Sequence, residues 1–512
     1  MELNWLDIGV FLGFIGFVVS FSMFKSRVEA TSEDYFLAGR GLSWWLIGFS
    51  LIAANISTEQ FVGMAGSAAG NVGMAIAGYE WLAAITLVFV ALFFLPRFLS
   101  SGIYTIPEYL EYRYNAAARA IMAFSTMVIY VGVTIAAVLY SGGLTLHTIF
   151  NMNLTKSIWL IGIITAIYTT YGGLKAVAWA DLFQGSALII GGLSILVIGI
   201  IAVGGVQSFF DATPEKFHMA LPADHPELPW TALVIGLWIP NFYYWGLNQY
   251  ITQRTLAAKT LRQGQLGVIF AASLKLIMPL ITVFPGIIAY QLYSEQLSVT
   301  SDAAFPLLIR NLVPAGLRGF IFAAISGAVI SSLASMLNSA STIFTMDLYK
   351  RHWNKDAPSH SLVTKGRIAT IIFVIIGCSI APFLGDPRFK GIFHYIQDFQ
   401  GYISPGILAA FVFGLIFKRA PAAAGVTALL LNVPIYGILH LEYFESISFL
   451  NKMAITFGSL VLAMGIITIL WPLDKPKVMP VRKDMDMRPS PSVAWLGTLV
   501  IGITVTLYII FW

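Results

Sequence analysis

The stretch SLIAANISTEQFVG, residues 50–63, lies inside an apolar segment long enough to cross a bilayer, yet it carries Asn55, Ser57, Thr58, Glu59 and Gln60 within six consecutive positions. Hydrocarbon offers no partner to a polar group, so a polar, interrupted helix at membrane depth faces protein or lines a watery cavity. The stretch therefore reads as a broken transmembrane helix at a binding site. Its unwound turn frees carbonyl oxygens for a cation and amide hydrogens for a polar solute. The plainer alternative is that Ser57 and Thr58 glue helices together, a role that suits Glu59 poorly because a carboxylate is costly there.

The rest of the chain has the composition that such a helix needs around it. Of 512 residues, 58% are hydrophobic and 11% charged, with a mean hydropathy of +0.80. This is a polytopic, all-α membrane protein rather than a string of soluble domains. The opening apolar run, Trp5 to Phe24, is too long for a signal-peptide core and lacks a basic leader, so it reads as a retained first span. A single cysteine, Cys378, excludes an internal disulfide and, in apolar surroundings, suggests packing.

Apolar runs separated by polar or Pro/Gly breaks give fourteen spans: 5–24, 43–70, 74–99, 116–149, 155–171, 176–203, 229–255, 263–292, 317–347, 363–385, 393–417, 421–440, 450–472 and 491–511. An even number puts both termini on one side. If that side is outside, 22 of the 30 basic residues lie in inside-facing segments, seven lie outside and Lys275 lies within a span. The net charge of +5 then reflects the positive-inside rule and not a nucleic-acid partner. Residues 302–312 can form a short surface helix, and 473–490, with Pro476, Pro480 and Pro489, reads as a connector. No phosphate-binding glycine motif occurs, so an ion gradient must supply the energy. Nothing resembles an enzyme's nucleophile–base set, and no obligatory protein partner is evident.

In the ninth span Ala328, Ser331 and Ser332 fall at i, i+3 and i+4, which presents two hydroxyls beside a backbone carbonyl on one face. Neutral oxygens suit a hard monovalent cation, although a Ser/Thr stripe running on through Ser335, Asn338, Thr342 and Thr345 also serves as helix glue. Lys275 sits twelve residues into its span, near the midplane, and must face a cavity or a partner; Glu80 is the natural candidate, either as cavity neighbour or as a structural ion pair. The strip NFYYWGLNQY, residues 241–250, offers aromatic faces and amides to a neutral polyhydroxy ligand, and also looks like an interfacial belt. Asp181, after Trp179, either attracts cations leaving the site or is a solvated helix-end charge.

The motifs SLIAANISTEQF, GYEWLAAI, YTIPEYLEYRYN, NFYYWGLNQYITQRTLAAK and SSLASMLNSASTIFTMDLYK, in this order, resemble the sodium/solute symporter family, in particular its sodium/galactose and sodium/glucose cotransporters. The resemblance runs nearly end to end. It implies one transmembrane domain, 1–512, in which 5–24 is an extra N-terminal helix and 43–203 and 229–417 are inverted five-helix repeats, with three helices in 421–511. It implies sodium as the co-transported ion, on the carbonyls of Ala53, Ile56 and Ala328 and the hydroxyls of Ser331 and Ser332, with Asp181 on its exit path. The sugar site would be Asn55, Gln60, Glu80, Asn241, Lys275 and Gln397. Tyr244 would close it from inside, and Met64, Tyr79 and Phe393 would form an outer gate. Ala83 departs from a serine in the sodium/galactose relative, which leaves the sugar open between a hexose such as galactose or glucose and another solute such as myo-inositol. A solute sensor or a channel is the competing class. The expected location is the plasma, or bacterial inner, membrane, with both termini outside.

Overall fold

The computed structural model describes residues 4–26, 31–150, 152–298, 301–385 and 392–512. Arg27, Arg388 and Lys390, which enter the charge bias, lie outside the described residues. Within them the chain is helical without a strand, and the bridges Leu42–Ala258 and Leu221–Pro229 are isolated. Helices satisfy backbone groups within their own segment, which hydrocarbon demands.

Nine described helices are long and apolar enough to cross a membrane. The pair Phe393–Gln400 and Ser404–Ile416, bent by 45°, makes a tenth if taken as one span. Three apolar helices are shorter: Trp44–Asn55, Leu154–Thr170 and Ala422–Ile438. These, with the run broken into Trp238–Gly246 and Gln249–Leu256, are where fourteen spans exceed the number recovered by length alone. Most of the difference arises at breaks, where an interrupted helix loses the uninterrupted length by which a span is recognised, while Ala422–Ile438 is unbroken but only 17 residues long.

Burial sorts the helices. The most apolar window of Leu317–Trp353 is 94% buried, whereas that of Trp5–Lys25 is 17% and that of Val493–Ile510 is 22% buried. The centre of the molecule is thus its most hydroxyl-rich helix, with Ser331, Ser332, Ser335, Asn338 and Thr342 all inside. Polar groups are driven inward here because lipid, unlike water, cannot solvate them. Packed around this helix are Trp5–Lys25, Ile135–Phe150 and the run Leu154–Ala202. Gly173, at φ +49° and ψ −160°, breaks that run into Leu154–Thr170 and Gly172–Ala202, a backbone state that a side chain would oppose.

The expected surface helix spans Ala304–Leu312. It is amphipathic, burying Phe305, Leu308 and Ile309, and the Phe305 ring lies 4.9 Å from that of Phe61. Residues 473–490 carry no helix, as expected of a connector, but are tied down: Arg482 N–H donates to the Ser100 carbonyl (2.6 Å) and Leu261 N–H to that of Asp486 (3.0 Å). Cys378 is buried and unbridged.

Candidate functional site

The break begins where Trp44–Asn55 ends, at Ile56, whose φ −77° and ψ 114° are extended. Helical bonding fails over the next residues in an ordered way. Ser57 N–H, which a continuing helix would give to the Ala53 carbonyl, donates instead to Gln60 Oε1 at 2.9 Å. Gln60 N–H, the normal donor to Ile56, turns to the Ser57 carbonyl at 3.2 Å. The carbonyls of Ala53 and Ile56 are thus among those that lose their helical donors at the break. Ser57 Oγ accepts from Glu59 N–H (3.2 Å), and the chain re-enters helix through the wide turn Glu59–Met64 before Ala65–Ala69. Thr58 meets Ser141 hydroxyl to hydroxyl at 2.5 Å, so for Thr58 the helix-glue reading holds.

The central helix reaches this break. Ser332 Oγ donates to the Ala54 carbonyl at 3.1 Å, one residue from Ala53. Ser331 points beside it to Asp181, and Ala328 stands one turn away, fully buried. Two hydroxyls and the freed carbonyls at one helix break are neutral oxygen donors for a hard cation.

On the other side of the break lies a polar cavity. Its lining includes all six expected solute ligands, Asn55, Gln60, Glu80, Asn241, Lys275 and Gln397, and all four expected gate residues, Met64, Tyr79, Tyr244 and Phe393. Lys275, 1% exposed, donates to Glu80 Oε2 and to Asn55 Oδ1, and its ammonium stands 4.7 Å from the centroid of Trp245. Ion pair and cavity wall, posed as alternatives, are both realised. Asn55 Nδ2 donates to Tyr244 Oη (3.0 Å), which also accepts from Tyr250 Oη (2.7 Å). Gln60 divides its amide between capping its own turn and facing the cavity. Ala83 is buried one turn from Glu80 and does not line the cavity.

The cavity is about 40 Å³, room for roughly three waters. A second cavity of about 270 Å³, lined by Ser67, Glu227 and Asp302 among others, shares Tyr79 and Phe393 with it. Those two rings, edge to face at 5.1 Å, are the partition between the two.

Two residues escaped the sequence reading of the site. Glu59 lines the cavity and accepts from Gln397 Nε2 at 3.3 Å; its place in the polar run was seen, but not which way it would point. Arg254 is the other. Asp181 is no solvated helix end: its side chain and that of Arg254 are both 0% exposed, paired at 3.0 Å. Asp181 also accepts from Ser50 and Ser331, while Arg254 donates to Ser50 Oγ (2.6 Å), to Ser335 and to the Tyr250 carbonyl. The sequence carried no signal for the pairing: Arg254 lies four residues beyond the aromatic strip, and the burial that makes Asp181 need a cation appears only in the fold.

The model of the sodium:solute symporter family matches residues 35–431. The chain is similar to a sodium/glucose cotransporter of Vibrio parahaemolyticus, 40% identical over 544 aligned positions covering 100% of this chain and 99% of that one. It is also similar to sodium/myo-inositol cotransporter 2 of Oryctolagus cuniculus, 32% identical over 83% of this chain and 68% of that one. Among solved structures, the substrate-bound outward-open state of a Na+-coupled sialic acid symporter superposes with a TM-score of 0.82 at 24% identity, covering 93% of this chain and 100% of that one, a likeness of fold. The chain belongs to the sodium:solute symporter family and is a sodium-coupled, multi-pass membrane transporter, not an enzyme.

Proposed function

We propose that the protein imports a neutral hexose together with sodium by alternating access. The observation that carries this reading is the shared turn: the residues that give up helical bonds at Ala53 and Ile56 are next to Asn55 and Gln60, which face the polar cavity. Sodium is held by the carbonyls of Ala53, Ile56 and Ala328 and the hydroxyls of Ser331 and Ser332. The sugar hydroxyls are met by Asn55, Gln60, Glu80, Asn241, Lys275 and Gln397, carboxylate and ammonium serving as strong acceptor and donor. Tyr79 and Phe393, with Met64, close the cavity toward the outside and Tyr244 toward the inside. Asp181 receives the departing sodium once Arg254 yields. The chain crosses the cell membrane fourteen times with both termini outside, and its repeats are 43–203 and 229–417.

Myo-inositol is the second reading, favoured by the 32% identity to a sodium/myo-inositol cotransporter. Uptake of a labelled panel of galactose, glucose and myo-inositol into proteoliposomes, with and without a sodium gradient, tests both. Sodium-driven uptake of a hexose above myo-inositol is expected; uptake of neither, or equal uptake under a proton gradient alone, overturns the reading.

A further inference from the structure

We infer that the protein binds a membrane phospholipid with an anionic headgroup in an apolar groove separate from the polar cavity. The groove has a volume of about 650 Å³ and is bounded by parts of the chain that are far apart in sequence, including Phe89, Phe94, Trp238, Phe242, Val412 and Ala454. Its floor is aromatic. The Phe242 ring lies 6.0 Å from that of Phe89, 6.1 Å from Trp238 and 6.2 Å from Phe94. Phe93 and Ile416 on its rim are 48% and 65% exposed and belong to membrane-crossing segments, so hydrocarbon rather than water meets the opening. Water within it would find few polar partners, whereas an acyl chain matches the lining.

Basic residues stand on and next to the groove's lining. Arg97 lines it, is exposed, and donates to the Phe93 carbonyl. Lys418 and Arg419, both exposed, follow Ile416 by two and three residues. Among the described residues none of the three pairs with a carboxylate. An apolar trough between membrane helices with one cation on its wall and two more just past a lining residue is complementary to a phosphodiester carrying acyl tails, and a net negative headgroup gains more there than a zwitterionic one. The groove also bears on transport. Phe242 faces it from Trp238–Gly246, the helix that sends Asn241 and Tyr244 into the polar cavity, so an acyl chain buttresses the back of the helix that carries the solute site.

Native mass spectrometry of the purified full chain, titrated with phosphatidylglycerol or with phosphatidylcholine of the same acyl chains, tests this. Phosphatidylglycerol adducts should survive preferentially. In the triple variant Arg97→Gln, Lys418→Gln, Arg419→Gln that preference should fall by about fivefold per charge removed, with phosphatidylcholine adducts unchanged. Ala454→Trp fills the groove with an apolar ring and should remove adducts of both lipids. Equal retention of the two lipids by the wild type, or a preference that survives the triple change, overturns the match of charge; full retention by Ala454→Trp overturns the groove as the seat.

Discussion

Two of the buried ion pairs among the described residues, Asp181–Arg254 and Glu80–Lys275, are built differently. The Asp181–Arg254 pair is saturated: the carboxylate takes two hydroxyls and the guanidinium, and the guanidinium spends its donors on Asp181, Ser50, Ser335 and a carbonyl. The Glu80–Lys275 pair sits on a cavity wall, backed by an aromatic ring and flanked by the amides of Asn55, Asn241 and Gln397. A pair whose groups are all engaged offers nothing to a ligand until it opens, and so acts as a latch. A pair with open valences at a cavity exchanges one hydrogen-bond partner for another at little cost, which is what reversible solute binding requires.

That contrast can be broken by experiment. The largest effect is expected from Arg254→Met, which leaves Asp181 buried without its cation. It should cost about 3–5 kcal/mol, read as loss of a monodisperse peak in fluorescence-detected size exclusion at temperatures where the wild type persists. Arg254→Lys should rescue little, since one ammonium cannot reproduce the forked contacts. A wild-type melting profile for Arg254→Met would erase the distinction between latch and ligand pair.

Next comes the cavity pair. Glu80→Gln and Lys275→Met should each weaken sugar binding by roughly ten- to a hundredfold, and the double variant Glu80→Met with Lys275→Met should remain folded, because apolar replacement of both members of a buried pair is often neutral. If the double variant both folds and binds sugar as the wild type does, the cavity pair is as structural as the latch. Smaller still is Ser332→Ala. Loss of one neutral oxygen should weaken the apparent sodium affinity by about fivefold, with sugar affinity at saturating sodium preserved. A defect confined to the sugar side would place Ser332 with the glue rather than with the ion.

The smallest expected effect concerns a carboxyl outside the spans. Burial pushes Asp302 up to about 6. A carboxyl raised on folding stabilises the fold most when protonated, below its unfolded value near 4, and that contribution is lost as pH rises through about 6. Asp302→Asn, which mimics the protonated form, should therefore melt slightly above the wild type at pH 7 and level with it near pH 4. An advantage of equal size at both pH values would show that the carboxyl's charge plays no part.

How much of this was legible in the sequence differs between the two pairs. Polar residues at membrane depth announce themselves, because so few reasons exist for them to be there; the run from Asn55 to Gln60, Lys275 and Glu80 could each be placed near a cavity before any coordinates. The latch could not. Its members are 73 residues apart, and Arg254, near a span end, looked like one more basic residue biased to the interior. That Glu59 faces in as well as Gln60 is equally hidden: the two are adjacent, and the rotation of a wide turn decides their directions. Span counting worked for long helices and exceeded what length alone recovers mainly where a helix is interrupted.

The small helix Ala304–Leu312 gives the molecule an external readout. Phe305 rests on Phe61, the neighbour of Gln60, while Arg310 on the same helix is exposed. Since Cys378 is the chain's single cysteine and is buried, a thiol-reactive dye attached through Arg310→Cys would report from one known position. Such a dye sits on the helix whose Phe305 touches Phe61, outside the cavity, so a change in its signal on adding sodium and sugar is the expected outcome if the proposed solute turn moves on binding, and it needs no labelled substrate.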